Sequence, residues 1–290
     1  MTDLRYEAPA TLEAAVALLG GAGGVARVLA GGTDVIVQME TELVEPELVV
    51  DIKKIPGLRA IAPENGGFRV GAATPAMEMV EHAGLCRAWP GVIDGVKLIG
   101  SIQVKGRATI AGNLCNASPA ADSVPPLAAA GAVARVVGPA GRREVEVAKI
   151  PVSPGKTSLA KGEIIESIFL PARAKNSGDA YERFTPRTEM DIAVVGVAIN
   201  LTIDGSGVCV AARVVLGAVA PTIVVSEECA KAIVGTRLDE AALEKLAAAA
   251  SAACRPIDDK RGTIEFRVKV AGVLARRVAL KALERARHIV

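Results

Sequence analysis

The chain has 290 residues, 51% hydrophobic and 23% charged, with 34 basic against 32 acidic side chains and a net charge of +2. That length allows more than one domain around a sizeable core. The charge balance excludes the basic footprint of a nucleic-acid binder, and 2% aromatics exclude a base-stacking platform. Two histidines and five widely spaced cysteines, with no C-x-x-C pair, argue against a zinc site, a disulfide framework and a Ser-His-Asp triad. Residues 1–6 lack the apolar region of a signal peptide, and no run reaches the about 18 apolar residues of a transmembrane segment. A cytoplasmic location is the expectation.

In chain order, Thr11 is placed to cap a helix whose apolar residues Leu12, Ala15, Val16 and Leu19 recur at helical spacing. Glycines 20, 21, 23 and 24 end it, and a strand follows at 27–30. The turn Ala30-Gly31-Gly32-Thr33-Asp34 then leads into a short apolar helix and a second strand at 48–52. Residues 21–26 match the relaxed G-x-G-x-x-A pattern, but a helix precedes them and a strand follows, the reverse of a dinucleotide fold. A new unit starts near Leu58, with a strand at 68–71 and a helix opened by Thr74-Pro75, Pro at its first position. Helical material continues to about Leu98. Residues 103–126 are dense in polar and turn-forming types. Strands at 133–137 and 144–147 flank Gly138-Pro139-Ala140-Gly141 as a hairpin, and another strand spans 163–170. The polar stretch 172–179 is the expected domain boundary. Beyond it, strands at 194–203 and 208–216 join through Asp204-Gly205-Ser206-Gly207, and helices follow at 227–234, 240–253 and from Thr263 onward. An antiparallel sheet backed by helices fits this half.

Two loops carry the chemistry. Gly31 and Gly32 remove side chains from the first, while Thr33 and Asp34 suit a helix cap, so free amides there suit a phosphate. The second, from Ala108 to Asp122, combines small residues with Thr109, Asn113, Ser118 and Asp122 as hydrogen-bonding groups. Asp122 suits ribityl or ribose hydroxyls, or else caps the stretch 124–130. Nothing in the chemistry alone makes the two loops partners.

The pair resembles the FAD-binding medium subunit of the xanthine dehydrogenase, aldehyde oxidase and carbon monoxide dehydrogenase family of molybdenum hydroxylases. The first loop matches A-G-G-T-D, and the second matches A-T-I-G-G-N-x-x-N-A-S-P-A-A-D except at Ala111. Further matches lie at 159–165, 191–195 and 255–262, so the resemblance spans nearly the whole chain. It implies an α+β fold: a two-subdomain PCMH-type FAD-binding domain at 1–175, split at about 57, then a C-terminal domain at 176–290 with a three-stranded antiparallel sheet and helices. FAD would lie between the subdomains. Carried over by position, Leu29, Ala30, Gly31, Gly32, Thr33, Asp34, Val35 and Ile36 would line one side. Thr109, Ile110, Ala111, Gly112 and Asn113 would line the other, with Ser118 and Asp122 nearby and Ile165 and Arg183 approaching the flavin.

The resemblance also implies that this chain does not oxidise substrate itself. A molybdopterin-binding large subunit would do so, an iron-sulfur small subunit with two [2Fe-2S] clusters would relay electrons, and NAD, oxygen or a quinone would accept them, in a dimer of heterotrimers. The chain lacks the cysteine sets such clusters need. Three departures stand out. Gln103-Val104-Lys105-Gly106 replaces Q-I-R-N, Ala111 adds a methyl and requires either φ below zero or tolerated strain, and Thr33-Asp34 replaces the His-Ser of carbon monoxide dehydrogenase flavoproteins, which leans away from that branch.

Plainer readings accompany each feature. Cys115 reads as a small buried thiol, since no cationic neighbour is evident. Pro154-Gly155-Lys156-Thr157 lacks the upstream glycine of a P-loop. Asp258-Asp259 reads as a capped helix start with local ion pairs, and Arg183 and Arg187 as charges on a strand. A stand-alone FAD-dependent reductase or oxidase of the same fold and a flavin-free scaffold are the rival functions.

Overall fold

The computed structural model describes residues 4–188 and 190–288; residues 1–3, the head of the stretch read for a signal peptide, lie outside it. Local sequence decides the first lobe. The Thr11 side chain accepts from the Ala14 amide at the start of α1 (Leu12–Gly21), and Leu12, Ala15, Val16 and Leu19 are its buried face. β1 (Arg5–Glu7) precedes this helix; β2 (Ala26–Leu29), α2 (Val35–Glu40) and β3 (Leu48–Asp51) follow it. β3 lies between β1 and β2 and pairs parallel with both. All four β3 residues are buried, hence its continuous apolar run. β1 has only three residues, with Tyr6 exposed, too few for a period-2 signal.

The second lobe opens with the antiparallel pair β4 (Ile61–Glu64) and β5 (Gly67–Gly71). Pro75 then caps α3 (Ala76–Glu81) from outside the helix rather than occupying its first turn. The helical stretch expected to run on to Leu98 is broken twice. His82 caps α4 (Ala83–Ala88) by accepting from the Leu85 amide at 3.0 Å, and Trp89, biased away from helix by Pro90, separates α5 (Pro90–Lys97). The polar segment folds as three short helices, α6 (Ile102–Lys105), α7 (Ile110–Cys115) and α8 (Val124–Ala129). The hairpin β6 (Val133–Gly138) and β7 (Gly141–Glu146), a small hairpin β8 (Pro151–Ser153) and β9 (Lys156–Thr157), and β10 (Ile164–Leu170) complete the lobe. The five-stranded sheet runs β4-β5-β10-β6-β7. Gly155, with φ +72°, makes Pro154–Lys156 a hairpin turn. One hydrophobic core, from Leu12 to Leu170, underlies both lobes.

The last third holds β11 (Ser177–Phe184), β12 (Val195–Ile203), β13 (Cys209–Gly217) and β14 (Val224–Val225), all antiparallel, then α9 (Glu227–Ile233), α10 (Glu240–Ala253) and α11 (Ile264–His288). The three long strands match the expected sheet; β14 adds a two-residue edge. Asp258 accepts from the Ile264 amide and Asp259 pairs with Arg267, as read for a capped helix start. A second core runs from Ala180 to Ala286. No described helix is long and apolar enough to cross a membrane.

Residues 172–179 are polar for two reasons: Lys175 and Asn176 are exposed, whereas Arg173, Ser177 and Asp179 form a network at the domain junction. Arg173 donates to Asp179 at 2.7 Å, the side chains being 8% and 4% exposed. Asp179 also accepts from the Val92 amide of α5 at 3.2 Å. Arg285 of α11 donates to Asp94 at 2.6 Å and to the Asp179 carbonyl at 2.8 Å, so β11, α5 and α11 are tied together. α11 lies so close on β11 that a Cβ at Gly178 would overlap the Ala282 carbonyl and the Ala286 amide. Gly178→Ala should therefore cost about 1–3 kcal/mol by urea titration. Gly205→Ala, in an open turn with nothing within 4 Å, should leave the midpoint in place; equal midpoints for the two variants would contradict this packing.

Candidate functional site

The two loops read from the sequence meet. Gly31 is buried against the segment that enters the second loop, and a Cβ there would overlap the Arg107 carbonyl. Arg107 Nε in turn donates to the Gly31 carbonyl at 3.2 Å. Asn116, at the end of α7, donates through Nδ2 to Asp34 Oδ1 at 3.2 Å and accepts through Oδ1 from Gln38 Nε2 at 2.9 Å. Gly31 is thus dictated by the neighbouring backbone, and Gly32 by its own conformation, with φ +82°. Leu29, Ala30, Thr33 and Val35 are half-buried around them, while Ile36 is 43% exposed.

Asp34 occupies the position before α2 but makes no capping bond, contrary to its reading as a helix cap. Its carboxylate serves the second loop through Asn116 instead. α2 is only six residues long, so the donors that matter are individual amides rather than a helix dipole. The backbone N–H groups of Gly31, Gly32, Thr33, Asp34 and Val35 find no acceptor among the described residues. Five consecutive free donors on a tight turn suit an anionic group such as a pyrophosphate.

Side chains of the second loop are largely committed within the protein. Thr109 Oγ1 accepts from the Gly112 amide at 2.9 Å, capping α7. Ile110 and Ala111 are buried in that helix, and Ala111 does not adopt a positive φ, so its extra methyl carries no backbone strain. Asn113 Oδ1 accepts from Ser123 Oγ at 2.6 Å, leaving its Nδ2 without an acceptor among the described residues. Ser118 Oγ accepts from the Ala120 amide at 3.3 Å. Gly106 closes α6 by donating to the Ile102 carbonyl, so the Lys105-Gly106 departure is absorbed by a helix end. Ile165 is 3% exposed on β10, within the larger core, and α7 packs on that strand.

Asp122 does not cap α8, whose cap position belongs to Ser123. It is 7% exposed, its Oδ1 accepts from the Tyr181 hydroxyl at 2.8 Å, and its Oδ2 pairs with Arg183. Burial pushes its carboxyl up to about 6, against the opposing pull of Arg183 and Tyr181. Burial likewise holds the Tyr181 hydroxyl far above the usual phenol range. Arg183 is therefore an inward-facing ion-pair partner, whereas Arg187 is exposed. Tyr181, Asn116, Gln38 and Arg107 escaped the sequence reading. Tyr181 and Arg183, two apart, share one face of a strand, but that strand overlaps the stretch taken as a boundary. A concavity of about 500 Å³ between α1 and the β6–β7 hairpin is lined mainly by Val16, Ala17, glycines and Pro139, without converging polar groups.

Residues 2–173 match the family model for the FAD binding domain in molybdopterin dehydrogenase, and residues 180–282 match that for the CO dehydrogenase flavoprotein C-terminal domain. The carbon monoxide dehydrogenase medium chain of Afipia carboxidovorans is 36% identical over 283 residues, covering 98% of each chain. The xanthine dehydrogenase FAD-binding subunit of Escherichia coli O157:H7 is 29% identical over 280 residues, covering 96% of this chain and 95% of that one. A solved structure of reconstituted CO dehydrogenase from Oligotropha carboxidovorans superposes with a TM-score of 0.93 at 35% identity, covering 97% of this chain and 98% of its counterpart.

Burial pushes the Cys115 thiol up to about 12, so the thiolate is scarce at pH 8. Cys115 should stay unmodified after an hour with iodoacetamide at pH 8 and react once the chain is unfolded, as read by peptide mass spectrometry. Rapid alkylation of the folded chain at Cys115 would contradict its reading as an inert thiol.

Proposed function

This chain belongs to the FAD-binding medium subunits of the molybdenum hydroxylases, and we propose that it holds FAD between its two loops as the electron-transferring subunit of such an enzyme. The observation that carries the site assignment is the run of five amides from Gly31 to Val35 with no acceptor among the described residues, beside a second loop whose side chains are committed within the protein apart from Asn113 Nδ2. Those amides would hold the pyrophosphate, with Leu29, Ala30 and Ile36 shaping the approach. Thr109, Ile110, Ala111, Gly112 and Asn113 would form the opposite wall, where the free Asn113 Nδ2 is a donor. The Asp122–Arg183 ion pair would serve the ribityl and flavin side as one unit, with Ile165 behind it and Ser118 nearby.

FAD supplies the redox chemistry when bound; this chain binds it, orients it and tunes its surroundings. The proposed domain division is residues 1–175, with lobes parted at about 57, and residues 176–290. The partners proposed are a molybdopterin-binding large subunit and an iron-sulfur small subunit with two [2Fe-2S] clusters, assembled as a dimer of heterotrimers in the cytoplasm. NAD, oxygen or a quinone would be the final acceptor. Substrate oxidation would belong to the large subunit, and no residue here is assigned as a general acid or base.

Purified chain should show absorption bands near 370 and 450 nm, as bound flavin does, and should co-purify with molybdopterin and iron-sulfur subunits. A colourless chain, or a fully active oxidoreductase free of partners, would contradict the proposal. Gly32→Val places a β-branched residue at φ +82° and should cut FAD content at least about tenfold by distorting the amide run. Wild-type flavin stoichiometry in that variant would remove the turn from the site.

A further inference from the structure

We propose that Tyr181 is a positioning residue for the cofactor: its hydroxyl, together with Arg183, fixes the Asp122 carboxylate and so holds the second loop in shape from the C-terminal domain. The inference rests on the FAD reading above. Tyr181 is 2% exposed, and its hydroxyl donates to Asp122 Oδ1 at 2.8 Å while Arg183 takes the other oxygen. The sheet makes room for this phenol. A Cβ on Gly196, in the neighbouring strand, would lie 2.5 Å from the Tyr181 hydroxyl oxygen.

The C-terminal sheet also grips this loop at Pro119 and the helix after it, α8, at Pro125. The Ala218 amide donates to the Pro119 carbonyl at 2.8 Å, and Gly217 packs so closely that a Cβ would lie 2.8 Å from Pro125 Cγ. Between these grips and α7, Ala117 is buried with φ +51°, a conformation a non-glycine residue holds only where its surroundings impose it. The loop is thus a strained segment of the FAD-binding domain whose shape depends on contacts from the C-terminal domain. Arg183 of β11 is the charge that acts on the Asp122 carboxylate, with Tyr181 as the neutral donor. Asp94, on the facing α5, is engaged by Arg285 and Lys281.

The sign of the pH effect follows. An ionised Asp122 holds both partners, whereas a protonated one loses the ion pair, so grip and FAD affinity should be full above about pH 6 and fall as pH drops through it. Removing the Tyr181 hydroxyl removes a donor to the ionised form and should move that midpoint upward.

The test titrates FAD into the flavin-stripped full chain between pH 5 and 8, following quenching of flavin fluorescence, with apo-protein melting as the fold check. Tyr181→Phe should bind FAD about tenfold more weakly at pH 7.5, with the midpoint displaced upward. Gly196→Ala should shift both in the same direction with the phenol still present. Wild-type chain that takes up no FAD would overturn the FAD reading itself. Wild-type binding together with unchanged affinity and midpoint in both variants would overturn the role of Tyr181 alone. Weaker binding with an unmoved midpoint would also overturn it, because plain loss of packing does not retune the Asp122 carboxyl.

Discussion

No side chain fits between Gly31 and the Arg107 carbonyl, and the candidate site depends on that contact. It brings the turn after β2, from one lobe, against the entry to α7, from the other. The Asn116 bridge to Asp34 and Gln38 then fixes the two loops side by side. Arg107 takes the Gly31 carbonyl and the Ile36 amide takes that of Gly32, while the amides from Gly31 to Val35 have no acceptor among the described residues. A surface of donors without acceptors has a built-in preference for anions.

The C-terminal domain is more than an appendage to this arrangement. Its sheet holds the far end of the second loop through Asp122 and Pro119 and the start of α8 through Pro125, and it meets α5 through the buried Arg173–Asp179 pair and the half-buried Arg285–Asp94 pair. Buried pairs of this kind add little net stability over apolar packing, but loss of one partner strands the other charge. They therefore specify how the domains sit more than they add to stability. That placement is what lets Tyr181 and Arg183 reach a carboxylate some 60 residues earlier in the chain.

Elements fixed by short-range patterning were legible in the sequence. α1 follows from Thr11 and its i, i+3, i+4, i+7 apolar residues, α10 occupies the span 240–253 expected for it, and the β12–β13 hairpin follows from Asp204-Gly205. The short helices α3 to α5 blurred into one because the breaks at His82 and Trp89 depend on local caps and on Pro90. β11 was obscured because its start carries Asp179 and its neighbour Arg173, whose burial rests on partners in α5 and α11. The two glycine loops stood out as motifs, yet the reasons for their glycines were half hidden: Gly32 answers to its own φ, Gly31 to a backbone 76 residues away. Thr33-Asp34 pointed away from the carbon monoxide dehydrogenase branch, while identity over the whole chain is higher to that medium chain, at 36%, than to the xanthine dehydrogenase subunit, at 29%.

Amide hydrogen exchange with and without FAD tests the central claim most directly. Peptides covering 30–36 and 109–113 should both gain protection on FAD binding, the first most strongly, since its free amides acquire acceptors. Stoichiometric FAD uptake with unchanged exchange in both peptides would show that the cofactor sits elsewhere and contradict the account.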